Sequence, residues 1–122
     1  MKRLFLVLTL GLILSGCSSD GITHKEITQE EAYEMMTDEV IILDVREPYE
    51  FEAGHIEGAI NLPLDSVEDV AANILEDKDA TILVYCTGGV RSKKAAKKLA
   101  SLGYTDVNDF GGISTWEYGI VK

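Results

Sequence analysis

The sequence predicts an α/β fold, a small parallel sheet flanked by helices on both faces, and three observations lead there. Two continuous apolar runs rich in β-branched residues, Val40-Ile41-Ile42-Leu43 and Thr81 to Tyr85, suit strands covered on both faces rather than strands with one wet side. Stretches with helical spacing stand between and after those runs, and strands that alternate with helices pair in parallel through crossover connections. With 122 residues and two cysteines, the chain has the length of one domain and no disulfide framework, so a packed core must hold it.

The elements follow in order. Thr28-x-x-Glu31 is a capping box, and Ala32, Met35 and Met36 recur at helical spacing behind it, so a short helix starts here. The first strand run follows. Asp44 to Pro63 reads as a turn-rich stretch because it holds Pro48, Gly54, Gly58 and Pro63, with Ala59-Ile60-Asn61 as a short strand inside it. Ser66-x-x-Asp69 is a second capping signal, and Val67, Val70, Ala71, Ile74 and Leu75 share one face of the helix it opens. The second strand run leads into Cys86-Thr87-Gly88-Gly89-Val90-Arg91-Ser92. Ala95, Ala96, Leu99 and Leu102 then mark a helix that ends at Gly103. Asp106 to Phe110 supplies a last strand before Gly111-Gly112 and a short closing helix.

The amino terminus reads as an address. Met1-Lys2-Arg3 is positive, and the apolar run from Leu4 to Leu14 is too short for the roughly 20 residues of a spanning helix, as in a secretory signal. Leu14-Ser15-Gly16-Cys17 resembles the bacterial lipobox, which implies cleavage before Cys17 and diacylglycerol on its sulfur. The expected organisation is a lipoprotein signal peptide over 1–16, a lipidated cysteine and tether over 17–25, and the folded domain over 26–122. It places the protein in the bacterial cell envelope, extracytoplasmic and held to the membrane by lipid on Cys17. Eleven basic residues against 21 acidic ones give a net charge of −10, opposite in sign to a nucleic-acid footprint, so no nucleic-acid partner is expected.

The chemistry lies between Cys86 and Ser92. A strand that ends in cysteine, turns through two glycines and enters a helix puts the sulfur at the carboxyl edge of the sheet, where open α/β folds bind ligands. Unpaired N–H groups of the loop and the helix dipole favour negative charge on that sulfur. Gly88 and Gly89 permit a backbone cradle in which a side chain would obstruct the bound group, and Arg91 adds a planar donor fork for an oxyanion. These are the parts of a covalent thiolate catalyst, with a buried structural thiol as the plain alternative. In an oxidising compartment a free thiol favours the reactive reading.

Three motifs resemble the rhodanese family: LDVREPYEFEAGHIEGAINLP from Leu43 to Pro63, the loop YCTGGVRS from Tyr85 to Ser92, and Gly111-Gly112-Ile113 with Trp116. The resemblance implies a small parallel sheet flanked by helices and a sulfurtransferase of the thiosulfate type. Cys86 would take a sulfane sulfur from thiosulfate or polysulfide as a persulfide and pass it to a thiol, a protein cysteine or cyanide. Thr87, Gly88, Gly89, Val90, Arg91 and Ser92 would bind the donor, with no cofactor and no metal. Asp44 and Arg46 resemble a D-x-R pair that borders the loop and orients it, with a plain structural ion pair as an equal alternative. A sulfur carrier or redox partner that lacks efficient small-molecule turnover is the competing function. Cysteine phosphatases of similar architecture use Cys-x5-Arg, whereas four residues separate Cys86 from Arg91, a loop that suits one sulfur atom better than a phosphate.

Other residues have plainer readings. His55 is expected to bond to the backbone of its own turn, and His24 to be solvated in the tether. Lys93, Lys94, Lys97 and Lys98 form a basic patch after the loop that either steers anions or is a solvated helix face. Tyr104, Phe110 and Trp116 are expected in the core.

Overall fold

The computed structural model describes residues 24–122. The expected signal peptide, Cys17 and most of the tether lie outside the described residues. The chain order is β1 (Lys25–Glu26), α1 (Gln29–Met35), β2 (Ile41–Asp44), α2 (Pro48–Ala53), β3 (Ile60–Asn61), α3 (Val67–Ile74), β4 (Ile82–Cys86), α4 (Val90–Ser101) and β5 (Val107–Gly112). Short 3-10 turns occupy Leu64–Ser66 and Ile113–Thr115. All five strands pair in parallel in the order β1-β5-β4-β2-β3, so β4 is central and carries Cys86 at its carboxyl end.

Burial follows from the period of two along β4. Ile82, Val84 and Cys86 face a core completed by Val67, Ala71 and Leu75 near α3 and by Ala95, Ala96 and Leu99 of α4. Leu83 and Tyr85 face the opposite core with Ala32 of α1, Ile56 and Phe110, against which Trp116 packs. Both faces of the sheet are therefore dry, which is why its strands read as continuous apolar runs. Tyr104 and Phe110 are buried as expected, whereas Trp116 is only partly buried and its indole N–H donates to the Gly119 carbonyl at 3.1 Å.

The Thr28 capping box is formed in both directions, with Glu31 N donating to Thr28 Oγ1 at 3.0 Å and Thr28 N to Glu31 Oε1 at 2.9 Å. Gly103 (φ 102°) ends α4 in the left-handed conformation that favours glycine.

Three local expectations need correction. Asp44 to Pro63 is not all turn: Pro48 occupies the first turn of α2, and Glu47 N donates to Glu50 Oε1 at 2.9 Å to close its amino end. Ser66 does not cap α3, because it already belongs to the preceding 3-10 turn with φ −98° and ψ −6°. Ile74, placed on the apolar face of that helix, is 44% exposed, since the helix stops there and only Val67, Ala71 and Leu75 reach full burial. The sheet also takes in Lys25, which pairs with Asn108 of β5.

Candidate functional site

The loop from Cys86 to Ser92 is built against the end of β5. Between Val84 and Cys86 the β4–β5 register shifts, bringing Cys86 opposite Gly112. Ser114 N donates to the Thr87 carbonyl at 3.1 Å, and the hydroxyl of the fully buried Ser92 donates to the carbonyls of Gly89 at 3.1 Å and Gly111 at 3.4 Å. Gly112 is required by this approach: a Cβ there would lie 1.9 Å from the Thr87 carbonyl oxygen and 2.7 Å from Gly88 Cα. Gln29 of α1 fastens the same corner, its side-chain amide donating to the Gly112 carbonyl at 2.8 Å.

Within this frame the chain reverses tightly. Gly89 (φ 104°) is left-handed, a conformation that costs a side-chain-bearing residue about 1–2 kcal/mol, and it stands at the amino end of α4. Its N–H donates to Cys86 Sγ at 3.0 Å, and the first turn of α4 opens directly after it. Cys86 is buried, so its sulfur forms the floor of the loop. Gly88 lies outside the left-handed region, and a Cβ there meets nothing within 4 Å, so the fold itself does not need glycine at that position. The arrangement can hold a charged sulfur and can solvate a second sulfur atom bonded to it.

Arg91 does not present an open fork. Its Nη1 donates to Glu50 Oε1 at 2.7 Å and its Nη2 to Oε2 at 3.1 Å, with a further 3.2 Å bond from Nη2 to Thr87 Oγ1. Thr87 Oγ1 in turn donates to Glu50 Oε2 at 3.2 Å. The bonds from Arg91 hold the Glu50 carboxyl at about 2, against its partial burial, which pushes the other way. Sequence reasoning missed Glu50, which α2 delivers across a separation of 41 residues. The available signal was Pro48 in the first position of a short helix with an acidic residue behind it. Gln29, at a separation of 83 residues from Gly112, left no local signal.

Asp44 and Arg46 lie deeper than their sequence position beside the motif implied. Asp44 is fully buried and Arg46 is 6% exposed, and they form a bidentate pair with Arg46 Nη2 at 2.7 Å from Asp44 Oδ2. Arg46 also donates to the Gly54 carbonyl at 2.7 Å and lies 5.8 Å above the Tyr85 ring. The pair thus locks the turn that leads into α2, the helix that carries Glu50, and its bonds to the described residues do not run to the Cys86 loop directly. Burial pushes the Tyr85 phenol well above its usual range, and its oxygen accepts from Ile56 N at 3.0 Å.

His55 Nδ1 lies 2.8 Å from the Phe51 carbonyl, and the ring stacks on Phe51, so it serves its own turn. In the basic patch, the exposed Lys93 pairs with Glu26 at 3.1 Å, and the half-buried Lys98 lies 3.7 Å from Glu68. The fold also gathers His24, Glu26 and Asp109, whose ligand atoms lie within 4.8 Å of one another, a cluster that sequence spacing did not disclose. The Lys93 ammonium already answers the Glu26 carboxylate there.

Comparison with known proteins agrees with this geometry. A family model described as a rhodanese-like domain matches residues 28–118. The chain belongs to the rhodanese-like family. Among solved structures, a rhodanese from E. coli is 38% identical with a TM-score of 0.63, covering 67% of this chain and 96% of that one. A rhodanese-related protein from Thermoplasma volcanium is 32% identical with a TM-score of 0.70, covering 80% and 97%. Among curated relatives, the tRNA uridine(34) hydroxylase of Bacillus thuringiensis (strain Al Hakam) is 40% identical over 101 residues, 78% of this chain and 32% of that protein. The chain therefore spans about a third of the length of the curated relatives it matches. The rhodanese-like domain carries the likeness, and the five-stranded parallel sheet with helices on both faces is the family fold.

Proposed function

We propose that this protein is a sulfurtransferase that moves a sulfane sulfur through a Cys86 persulfide. The observation that carries the reading is the position of Cys86 Sγ at the end of the central strand, where it accepts the Gly89 N–H at 3.0 Å before the first turn of α4. In the first half-reaction the Cys86 thiolate attacks the outer sulfur of thiosulfate. An S–S bond forms to Cys86, the S–S bond of the donor breaks, and sulfite leaves with the bonding pair. In the second, an acceptor nucleophile attacks the outer sulfur of the persulfide and the Cys86 thiolate is released. Cyanide yields thiocyanate, and a thiol yields a new persulfide. No cofactor is required, and ping-pong kinetics follow from the covalent intermediate.

The loop N–H groups from Thr87 to Ser92 stabilise charge on the transferred sulfur, the role of an oxyanion hole displaced onto sulfur. The similar rhodanese from E. coli is described with anions, in keeping with such a cradle. The relatives named tRNA uridine(34) hydroxylase match over about a third of a longer chain, and a net charge of −10 is opposite in sign to a nucleic-acid footprint. The competing reading is a sulfur carrier that loads Cys86 but transfers only to a docked protein cysteine. On the sequence readings already given, the protein works in the bacterial cell envelope on the extracytoplasmic side, tethered to a membrane by lipid on Cys17. The test is thiosulfate:cyanide turnover by the fragment that starts after Cys17, with Cys86→Ser beside it. Turnover that disappears in the variant is expected. Loading without turnover would favour the carrier.

A further inference from the structure

We infer that Glu50 sets donor specificity by occupying the Arg91 guanidinium, so that the Cys86 site favours singly charged organic sulfane donors over inorganic dianions. The inference rests on the sulfur-transfer reading and names the substrate class of that site.

A doubly charged donor that approaches Cys86 needs compensating positive charge. Arg91 is the loop's cation, yet two of its nitrogens already face the Glu50 carboxylate, at 2.7 and 3.1 Å, and a third bond goes to Thr87. The side chains of Arg91 and Glu50 are 33% and 20% exposed, so the pair stands at the surface of the site and not in the core. Glu50 stays ionised throughout the physiological range, because Arg91 holds its carboxyl at about 2. The pair is neutral in sum, and a dianion must either displace Glu50 from Arg91 or bind beside its negative charge. Both penalties grow with donor charge. The loop N–H groups that remain are suited to one diffuse charge. The long-range field of a chain with net charge −10 acts in the same direction.

The surroundings of the pair fit an organic body. Tyr49, next to Glu50, is 73% exposed, and Val90, next to Arg91, is 68% exposed. Glu50 also lines a cleft of about 330 Å³ whose walls include Ala53, Ile113, Trp116 and Ile120, with Arg46, already paired to Asp44, at its base. Apolar surface of this kind favours a donor that carries a hydrocarbon group behind its sulfane sulfur.

The test compares two probes of different charge, thiosulfate as the dianion and methanethiosulfonate as a monoanion, in the loading half-reaction of Cys86. The second-order rate of loading is read from release of sulfite or methanesulfinate and from the mass gain of one sulfur atom. Glu50→Gln keeps the shape and the acceptor oxygen while it removes the charge. It should raise the loading rate about tenfold for thiosulfate and about threefold for methanethiosulfonate, because an electrostatic penalty scales with donor charge. A merely structural role would move both rates by the same factor, and that outcome, or no change in either, would overturn the assignment of Glu50 while sulfur transfer stood. Failure of both donors to load Cys86 in either protein would overturn the sulfur-transfer reading and this inference with it. Thermal unfolding of Glu50→Gln, run alongside, confirms that the variant is folded when the rates are compared.

Discussion

Replacement of Gly112 by alanine tests how the catalytic loop is held. Gly112 has φ −131°, a backbone conformation open to any residue, so the effect of Gly112→Ala is steric alone. The new Cβ would lie 1.9 Å from the Thr87 carbonyl oxygen, 2.4 Å from the Thr87 carbonyl carbon and 2.7 Å from Gly88 Cα, all backbone atoms that no rotamer change can move away. Relief requires the loop to withdraw by more than an ångström, which breaks the 3.1 Å bond from Ser114 N to the Thr87 carbonyl. Overpacking costs about 1–3 kcal/mol and the lost hydrogen bond about 1 kcal/mol more, for a total of about 2–4 kcal/mol. At roughly 4–8 °C per kcal/mol for a domain of this size, Tm should fall by about 8–30 °C. The withdrawn loop would also carry Thr87 away from Glu50 and alter the access to Cys86, so the rate of Cys86 alkylation should change. Gly88→Ala is the control, because its Cβ meets nothing within 4 Å, and it should leave Tm nearly unchanged. A Gly112→Ala protein with wild-type Tm and wild-type alkylation would refute the account of how β5 positions the loop.

Two further predictions come from the ion pairs. Arg46→Met leaves the fully buried Asp44 carboxylate without its partner and should cost about 3–5 kcal/mol in chemical denaturation, and a loss below about 1 kcal/mol would contradict the buried-pair description. Glu50 has its folded-state pKa held at about 2, below its ordinary 4.5, so the ionised pair with Arg91 stabilises the fold fully above pH 4.5 and loses that contribution as pH falls through about 2. The pair is partly exposed and should contribute on the order of 1 kcal/mol. Glu50→Gln should therefore flatten the acid limb of stability against pH, and a variant curve parallel to wild type between pH 4.5 and 2 would count against the pairing.

What the sequence disclosed follows from where the information is local. The apolar runs Val40 to Leu43 and Thr81 to Tyr85 announce strands because each residue faces one of two dry cores, and the strands run over Ile41–Asp44 and Ile82–Cys86. The capping box at Thr28 and the small-residue face of α4 are local patterns of the same kind. In contrast, α2 is six residues long with no fully buried side chain, so no apolar periodicity marks it among the glycines and prolines around it. The capping pattern at Ser66 misleads because it cannot reveal that the preceding residues already turn as a 3-10 helix. In the site, the cysteine, the glycines and the arginine are adjacent in sequence and could be seen together. Glu50, Gln29 and the steric demand on Gly112 arise only when the sheet brings α2, α1 and β5 to the same edge. The same long-range geometry changes the meaning of Arg91 from an open anion fork to one already engaged.

The most direct test of the central claim is to incubate the protein with thiosulfate, without an acceptor, and to follow sulfite release together with the intact mass of the chain. The account predicts one equivalent of sulfite, a mass gain of one sulfur atom that maps to Cys86, its removal by cyanide as thiocyanate, and none of these in Cys86→Ser. No mass gain with thiosulfate and none with methanethiosulfonate, or sulfur mapped to any residue other than Cys86, would contradict it.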